Sequence, residues 1–195
     1  MKVVAATHNK GKIREFDAIL SKLGYEVISQ KDLGIETEPE ENGTTFAENA
    51  LIKARAIADL CDYAVLADDS GLCVDALNGA PGVYSARYAG ENATDAERIE
   101  KLLSELKGKN DRNAKFVSAI AFILPNGEEI VAHGEVHGKI TEKAYGDGGF
   151  GYDPIFLSDE LGKTFGEATA EEKNKISHRA QGLAKLCEIL SEKLK

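Results

Sequence analysis

The stretch Ala64-Val-Leu-Ala-Asp-Asp-Ser-Gly71 sets an apolar run against two adjacent carboxylates and a hydroxyl. Ala64 to Ala67 reads as a strand heading for the core. Successive residues of an extended strand point to opposite faces, so Asp68 and Asp69 cannot serve one site equally unless the chain turns there. One is expected to do chemistry and the other to support it. Carboxylates at a strand end, with Ser70 beside them, suit Mg²⁺, which takes a few hard oxygens together with water and substrate phosphate. An Asp-Ser-Gly turn held by its own side-chain hydrogen bonds is the plain alternative.

Upstream, Lys2 to Ala6 reads as a buried strand, and the polar turn Thr7-His-Asn-Lys-Gly-Lys12 leads into a helix with Ile13, Phe16, Ile19, Leu20 and Leu23 on one face, ended by Gly24. A strand over Tyr25 to Ser29 precedes an acidic segment with Glu36, Glu38, Glu40 and Glu41. Thr45-Phe-Ala-Glu48 is a capping box, and Ala47, Ala50, Ala54, Ile57 and Cys61 line the helix it opens. Asn49 and Lys53 share another face of that helix.

Downstream, a separate segment runs from Leu72 to Leu77, and Thr94-Asp-Ala-Glu97 caps a second helix that carries Ile99, Leu102, Leu103 and Leu106 and stops at Gly108. Phe116 to Leu124 and Glu129 to His137 read as a hairpin turned at Pro125-Asn-Gly127. A short strand is expected over Pro154 to Leu157, a helical turn capped by Thr169-Ala-Glu-Glu172, and a C-terminal helix from His178 with Leu183, Leu186, Cys187, Leu190 and Leu194 on its apolar face. The pattern predicts an α/β fold with an antiparallel element, hence a mixed sheet.

The 195 residues, 43% of them hydrophobic, suffice for one domain, or one domain split into two lobes. A formal charge of −9 argues against a non-specific binder of nucleic-acid polymers or membrane surfaces, which rely on excess Lys and Arg. Cys61, Cys73 and Cys187 form no C-x-x-C pair and read as small packed hydrophobes. With no long apolar run and no signal-peptide core, the chain is expected in the cytoplasm.

Four segments could carry chemistry. Thr7 to Lys12 is a strand-to-helix turn with two lysines, where an anion could meet converging backbone N–H groups; an ordinary solvated turn is the alternative. The aspartate pair is the second, with the acidic segment able to add one metal ligand. The third is Gly146-Asp-Gly-Gly-Phe-Gly-Tyr-Asp-Pro-Ile-Phe156, whose glycines let backbone approach a flat ligand while Phe150 or Tyr152 packs on it; a sheet-corner turn would look similar. The fourth is Lys173 with Ser177-His-Arg179, cations that run against the dipole of the last helix unless an anion, or a carboxylate from elsewhere in the chain, faces them. His133 and His137, along one strand face, read as structural or exposed.

Five segments, ATHNKGKIREF, TFAENALIKA, LADDSGLCVDALNGAPGVYSARYAG, GGFGYDPIF and EEKNKISHRAQGL, together resemble the inosine triphosphate pyrophosphatase family, the XTP/dITP diphosphatases, in order and over nearly the whole chain. The resemblance implies an elongated mixed sheet flanked by helices, two lobes with the site in the cleft, and hydrolysis of ITP, dITP and XTP to the monophosphate and pyrophosphate. It implies that Thr7, His8, Asn9, Lys10, Gly11 and Lys12 bind phosphate, with His8 standing where a small residue is common. Asp69 would bind Mg²⁺ and accept the proton of the attacking water, with Asp68 and Lys53 beside it. Ser70 would contact substrate, Phe150, Gly151, Tyr152 and Asp153 would form the base-stacking loop, and Lys173, His178 and Arg179 would read the purine. A glutamate from the acidic segment, Glu40 by preference or Glu41, completes the metal site. A homodimer is implied as well. The competing expectations are a Maf-like pyrophosphatase acting on modified pyrimidine nucleotides and a nucleotide-sensing module without turnover.

Overall fold

In a computed structural model that describes residues 1–193, the chain runs β1 (Lys2–Ala5), α1 (Lys10–Leu20), β2 (Glu26–Ser29), α2 (Phe46–Ala58), β3 (Ala64–Val74), α3 (Asp95–Glu105), β4 (Asn113–Ile123), β5 (Glu129–Ile140), β6 (Phe156–Ser158), α4 (Ala170–Ile176) and α5 (His178–Lys193). The strands form one mixed sheet in the order β2-β1-β3-β4-β5-β6. β1 pairs in parallel with both β2 and β3, whereas β5 and β6 are antiparallel. This is the α/β architecture with flanking helices that the sequence pattern predicts.

By contacts the chain divides into two compact units, the first comprising Met1–Asp69, Ser118–Gly134 and the chain from Arg179 onward, the second Ser70–Val117 and Glu135–His178. In the first unit strand alternation sorts the core into two layers. Val3, Ala5, Leu66, Ile120 and Phe122 pack with Phe16 and Leu20 of α1 and Leu183, Leu186 and Leu190 of α5. Val4, Val65, Ala67, Ala119 and Ala121 face the other way, onto Ala50, Ala54 and Ile57 of α2. The small residues of α2 let that helix lie close to the sheet, and each fully buried Leu, Ile or Phe contributes roughly 1.5–3 kcal/mol. The second unit has its own core, in which Leu72, Leu102, Leu106, Phe116, Ile155, Phe156 and Phe165 are buried.

The local signals for helix ends work as their chemistry requires. The Thr45–Glu48, Thr94–Glu97 and Thr169–Glu172 capping boxes are all closed in both directions. Gly24 closes the turn after α1 with φ +82°, and Gly127 turns the β4–β5 hairpin with φ +85° and its N–H on Leu124 O at 2.8 Å.

Several expected boundaries are corrected. β3 does not end at the aspartates but continues to Val74, absorbing the first residues of the Leu72–Leu77 segment. Its extension is possible because every charge it carries into the core finds a partner, as described below. β4 starts at Asn113, ahead of Phe116, and β5 reaches Ile140, past His137. Pro154 sits in a short 3₁₀ turn, Asp153–Ile155, and the strand begins only at Phe156. Lys173 belongs to α4 and not to the last helix. Leu194, expected on the apolar face of α5, lies outside the described residues. The three cysteines are free and half-buried. Among the described residues no helix is long and apolar enough to cross a membrane.

Candidate functional site

In the first unit, Asp68 and Asp69 lie on the straight course of β3, so their side chains address different partners. Asp68 is 1% exposed. Its Oδ1 accepts from Ser118 Oγ at 2.5 Å, and its Oδ2 is 2.9 Å from Lys12 Nζ and 3.1 Å from Arg179 Nε. Arg179 in turn donates to Glu15 of α1. The guanidinium is buried; desolvation works against its charge, but Asp68 and Glu15 outweigh that and hold its pKa above the ordinary value. A buried ion network of this kind is costly to break, at ~3–5 kcal/mol when one partner is removed.

Asp69 has a different setting. Its Oδ2 accepts from Asn49 Nδ2 at 3.2 Å, and its Oδ1 lies 3.3 Å from Lys53 Nζ. Lys53 also reaches Glu41 Oε2 at 3.2 Å and the Asp68 carbonyl at 2.8 Å. Burial raises the Asp69 pKa; Lys53 and Lys12 oppose the shift, Glu41 and Asp68 add to it, and the carboxyl is pushed up to about 6. Lys12 is shifted down, chiefly by burial, against the attraction of Asp68. Lys53 is shifted up: desolvation acts against its charge, but Asp69, Glu41 and Asp68 prevail.

The lysines reach β3 from two helices, Lys12 from the first turn of α1 and Lys53 from the second half of α2. Asn9 caps α1, its Oδ1 accepting from Gly11 N at 2.9 Å and Lys12 N at 3.1 Å, and Asn9 N donates to Thr7 Oγ1 at 3.1 Å. These two helix N–H groups, which sequence alone offers to a phosphate, are therefore taken by the Asn9 side chain. Lys10 is exposed, while Lys12 turns inward. His8 Nε2 sits 2.9 Å from Gln30 Nε2, which also donates to Thr37 O at 2.8 Å and Ile35 O at 3.2 Å.

Of the two glutamates expected on a metal, Glu41 shares Lys53 with Asp69, whereas Glu40 is exposed. Among the described residues no group of three or more His, Cys, Asp or Glu gathers as a metal cage. The donor set still fits Mg²⁺, which is commonly bound through one or two carboxylates with water and substrate phosphate supplying the rest.

The second unit holds the other expected site residues. Asp153 is 3% exposed; its Oδ2 accepts from Phe150 N at 3.0 Å and from Lys173 Nζ at 2.6 Å. That ammonium lies 4.7 Å from the centre of the Phe150 ring and 5.6 Å from that of Phe165, a cation–π arrangement. Gly149 is required here, since φ is +71° and a Cβ would collide with the Asp153 carboxylate. Tyr152 is buried with its hydroxyl donating to Ser85 O at 2.7 Å, so it supports the loop and does not offer its ring to solvent. His178 stacks on Phe116, ring centres 4.9 Å apart at 14°. Ser70 is half-buried on β3.

Arg179, grouped with Lys173 and His178 by sequence proximity, instead belongs with Asp68 and Glu15; the open alternative of a carboxylate from elsewhere in the chain is what the structure contains. Glu15, Gln30 and Ser118 join these networks from outside the sequence motifs. Ser118, a lone hydroxyl in the apolar run Phe116 to Leu124, carried a usable signal; Glu15, on a charged helix, carried none. His133 and His137 are exposed, with His137 Nε2 3.0 Å from Glu135.

The Ham1 family model matches residues 3–189. A Bacillus subtilis (strain 168) protein named dITP/XTP pyrophosphatase is 52% identical over 189 residues, covering 96% of both chains. A Haemophilus influenzae protein of the same name is 53% identical, covering 95% of this chain and 96% of its own. The solved structure of the Staphylococcus aureus Ham1 protein superposes with a TM-score of 0.87 at 45% identity, covering 99% of this chain and 100% of that one.

Proposed function

The chain belongs to the Ham1 family, and on that premise we propose that it is a nucleoside triphosphate pyrophosphatase: it hydrolyses deaminated purine nucleotides, ITP, dITP and XTP, to the monophosphate and pyrophosphate. The observation that carries this reading is the Asp69 carboxylate, buried between Lys53 and Asn49 and pushed up to about 6. A carboxylate of that basicity is ionised at pH 7 and is a better proton acceptor than an ordinary aspartate.

Asp69 takes a proton from water as that water adds in line to the α-phosphorus, and pyrophosphate leaves. Lys12 and Lys53 supply positive charge for the triphosphate as the transition state spreads charge over its oxygens. Asp69 and Glu41 are the residues that would hold Mg²⁺, which when bound supplies charge neutralisation of the phosphates. Asp68, locked by Ser118, Lys12 and Arg179, fixes the strand so that Asp69 presents its carboxylate steadily.

Base selection falls to the second unit. Phe150 offers a ring for stacking, and the Lys173 ammonium and His178 imidazole are donors suited to a 6-oxo purine. A 6-amino base would leave such donors unpaired, at ~1–3 kcal/mol per group. Action as a homodimer belongs to the same proposal and rests on the family resemblance; a cytoplasmic setting belongs to it as the expectation drawn from the sequence.

The test is pyrophosphate release from ITP, dITP, XTP, dTTP and ATP, with and without Mg²⁺. Release from the deaminated purines under metal, with little from ATP or dTTP, is expected. No release from ITP or XTP would overturn the reading.

A further inference from the structure

The loop Phe150–Asp153 is tied at one more point, by a residue that neither its sequence motif nor the proposed chemistry uses. Asp95, the first residue of α3, accepts from the backbone N–H of Gly151 through Oδ2 at 2.8 Å. Its other oxygen accepts from Arg98 NH1 at 2.7 Å, which orients the carboxylate along the helix. Thr94 and Glu97 close the capping box around it, so the backbone beneath Asp95 is fixed independently of the loop.

Gly151 stands between Phe150 and Tyr152 with φ +61°, a conformation that glycine adopts readily and other residues rarely do. Two bonds flank it: Phe150 N on Asp153, and the Tyr152 hydroxyl on Ser85 O. Ser85 is itself held, its Oγ accepting from Leu72 N at 2.9 Å and donating to Gly82 O at 2.6 Å. The peptide joining Phe150 to Gly151 is held within the loop at its carbonyl, which accepts from Asp153 N at 3.2 Å, while its N–H is tied by Asp95 to an element outside the loop. Rotation of that peptide would re-aim the Phe150 ring relative to Lys173.

We propose that Asp95 is a positioning residue for nucleobase recognition, holding the Phe150–Gly151 peptide so that the Phe150 ring and the Lys173 ammonium stay matched to a 6-oxo purine. This rests on the proposed pyrophosphatase reading for its kinetic readout, though not for its structural one.

The experiment compares wild type, Asp95→Ala and Asp95→Asn by pyrophosphate release from ITP with Mg²⁺ and by amide hydrogen exchange of the peptide covering residues 149–153 in the free protein. Loss of one hydrogen bond predicts a KM for ITP raised about three- to tenfold in Asp95→Ala with kcat within about twofold, together with faster exchange in the loop. Asp95→Asn retains an acceptor for Gly151 N and should recover most of the KM. An unchanged KM, a fall in kcat alone, or a raised KM without faster loop exchange would overturn the proposal. If wild type itself released no pyrophosphate from ITP, the pyrophosphatase reading would fall, and unchanged exchange in Asp95→Ala would separately refute the brace.

Discussion

Asp68 and Asp69 are consecutive on an unbroken strand, yet one is sealed against Arg179, Lys12 and Ser118 while the other meets Lys53 and Asn49. Their variants should therefore fail in different ways. Asp69→Asn is expected to lower kcat by about 10²–10⁴-fold, the usual worth of a general base, with the thermal midpoint held or raised since a costly buried charge is removed. Asp68→Asn is expected to destabilise the fold by ~3–5 kcal/mol through uncompensated charge on Arg179 and Lys12. Steady-state kinetics and urea unfolding distinguish the two; near-wild-type kcat in Asp69→Asn would remove it as the base.

Metal binding should depend on pH through Asp69. Its folded pKa of about 6 lies above the ordinary value of 3.8, so between these values the native state holds more protons than the unfolded one. Stability from this group is present at low pH and is lost as pH rises through about 6. A cation on the same carboxylate must displace that proton below about pH 6, so apparent Mg²⁺ affinity should fall by up to about tenfold per pH unit there and level off above. Calorimetric titration of Mg²⁺ across pH 5 to 8 checks this, and a flat profile would separate Asp69 from the metal.

Glu41 and Glu40 should differ. Because Glu41 shares Lys53 with Asp69 and Glu40 is exposed, Glu41→Gln is expected to raise the Mg²⁺ concentration for half-maximal rate severalfold, and Glu40→Gln to leave it near wild type. The reverse result would move the metal ligand back to Glu40.

Gly149→Ala places a methyl group against the Asp153 carboxylate at a backbone φ of +71°. Asp153 must then release Phe150 N or Lys173, which is expected to raise KM for ITP at least tenfold while the separately packed core of the first unit keeps its cooperative unfolding. Unchanged KM would show that the Asp153–Lys173 pair does not shape the base site.

Arg179→Ala leaves the Asp68 and Glu15 carboxylates buried without their shared cation, and is expected to cost ~3–5 kcal/mol of stability. His178→Ala, which removes a ring stacked on Phe116, should mainly erode ITP-over-ATP selectivity. Equal loss of stability in both, with selectivity intact, would assign His178 to packing alone.

Structure is legible in the chain where the physics is local. Helix starts follow from Thr-x-x-Glu boxes, and the two faces of the first unit's sheet follow from strand alternation, both written within a few residues. A doubled charge reads as a stop signal, yet β3 runs on to Val74. A strand can carry aspartates through the core when Lys12, Lys53, Ser118 and Arg179 arrive from far along the chain. At the start of α1, Asn9 accepts from the same N–H groups that a phosphate would use.

By itself the sequence determined the α/β class, the helix caps, the opposite facing of adjacent aspartates and a family resemblance carried by five segments in order. Tertiary structure decided which groups those aspartates meet. It gave Arg179 to Asp68 and Glu15, joined Glu41 and not Glu40 to Asp69 through Lys53, and tied Gly151 to Asp95. Such pairings depend on residues up to 164 positions apart, as Glu15 and Arg179 are. Periodicity reports which face a side chain takes on its own element; only packing decides what stands opposite.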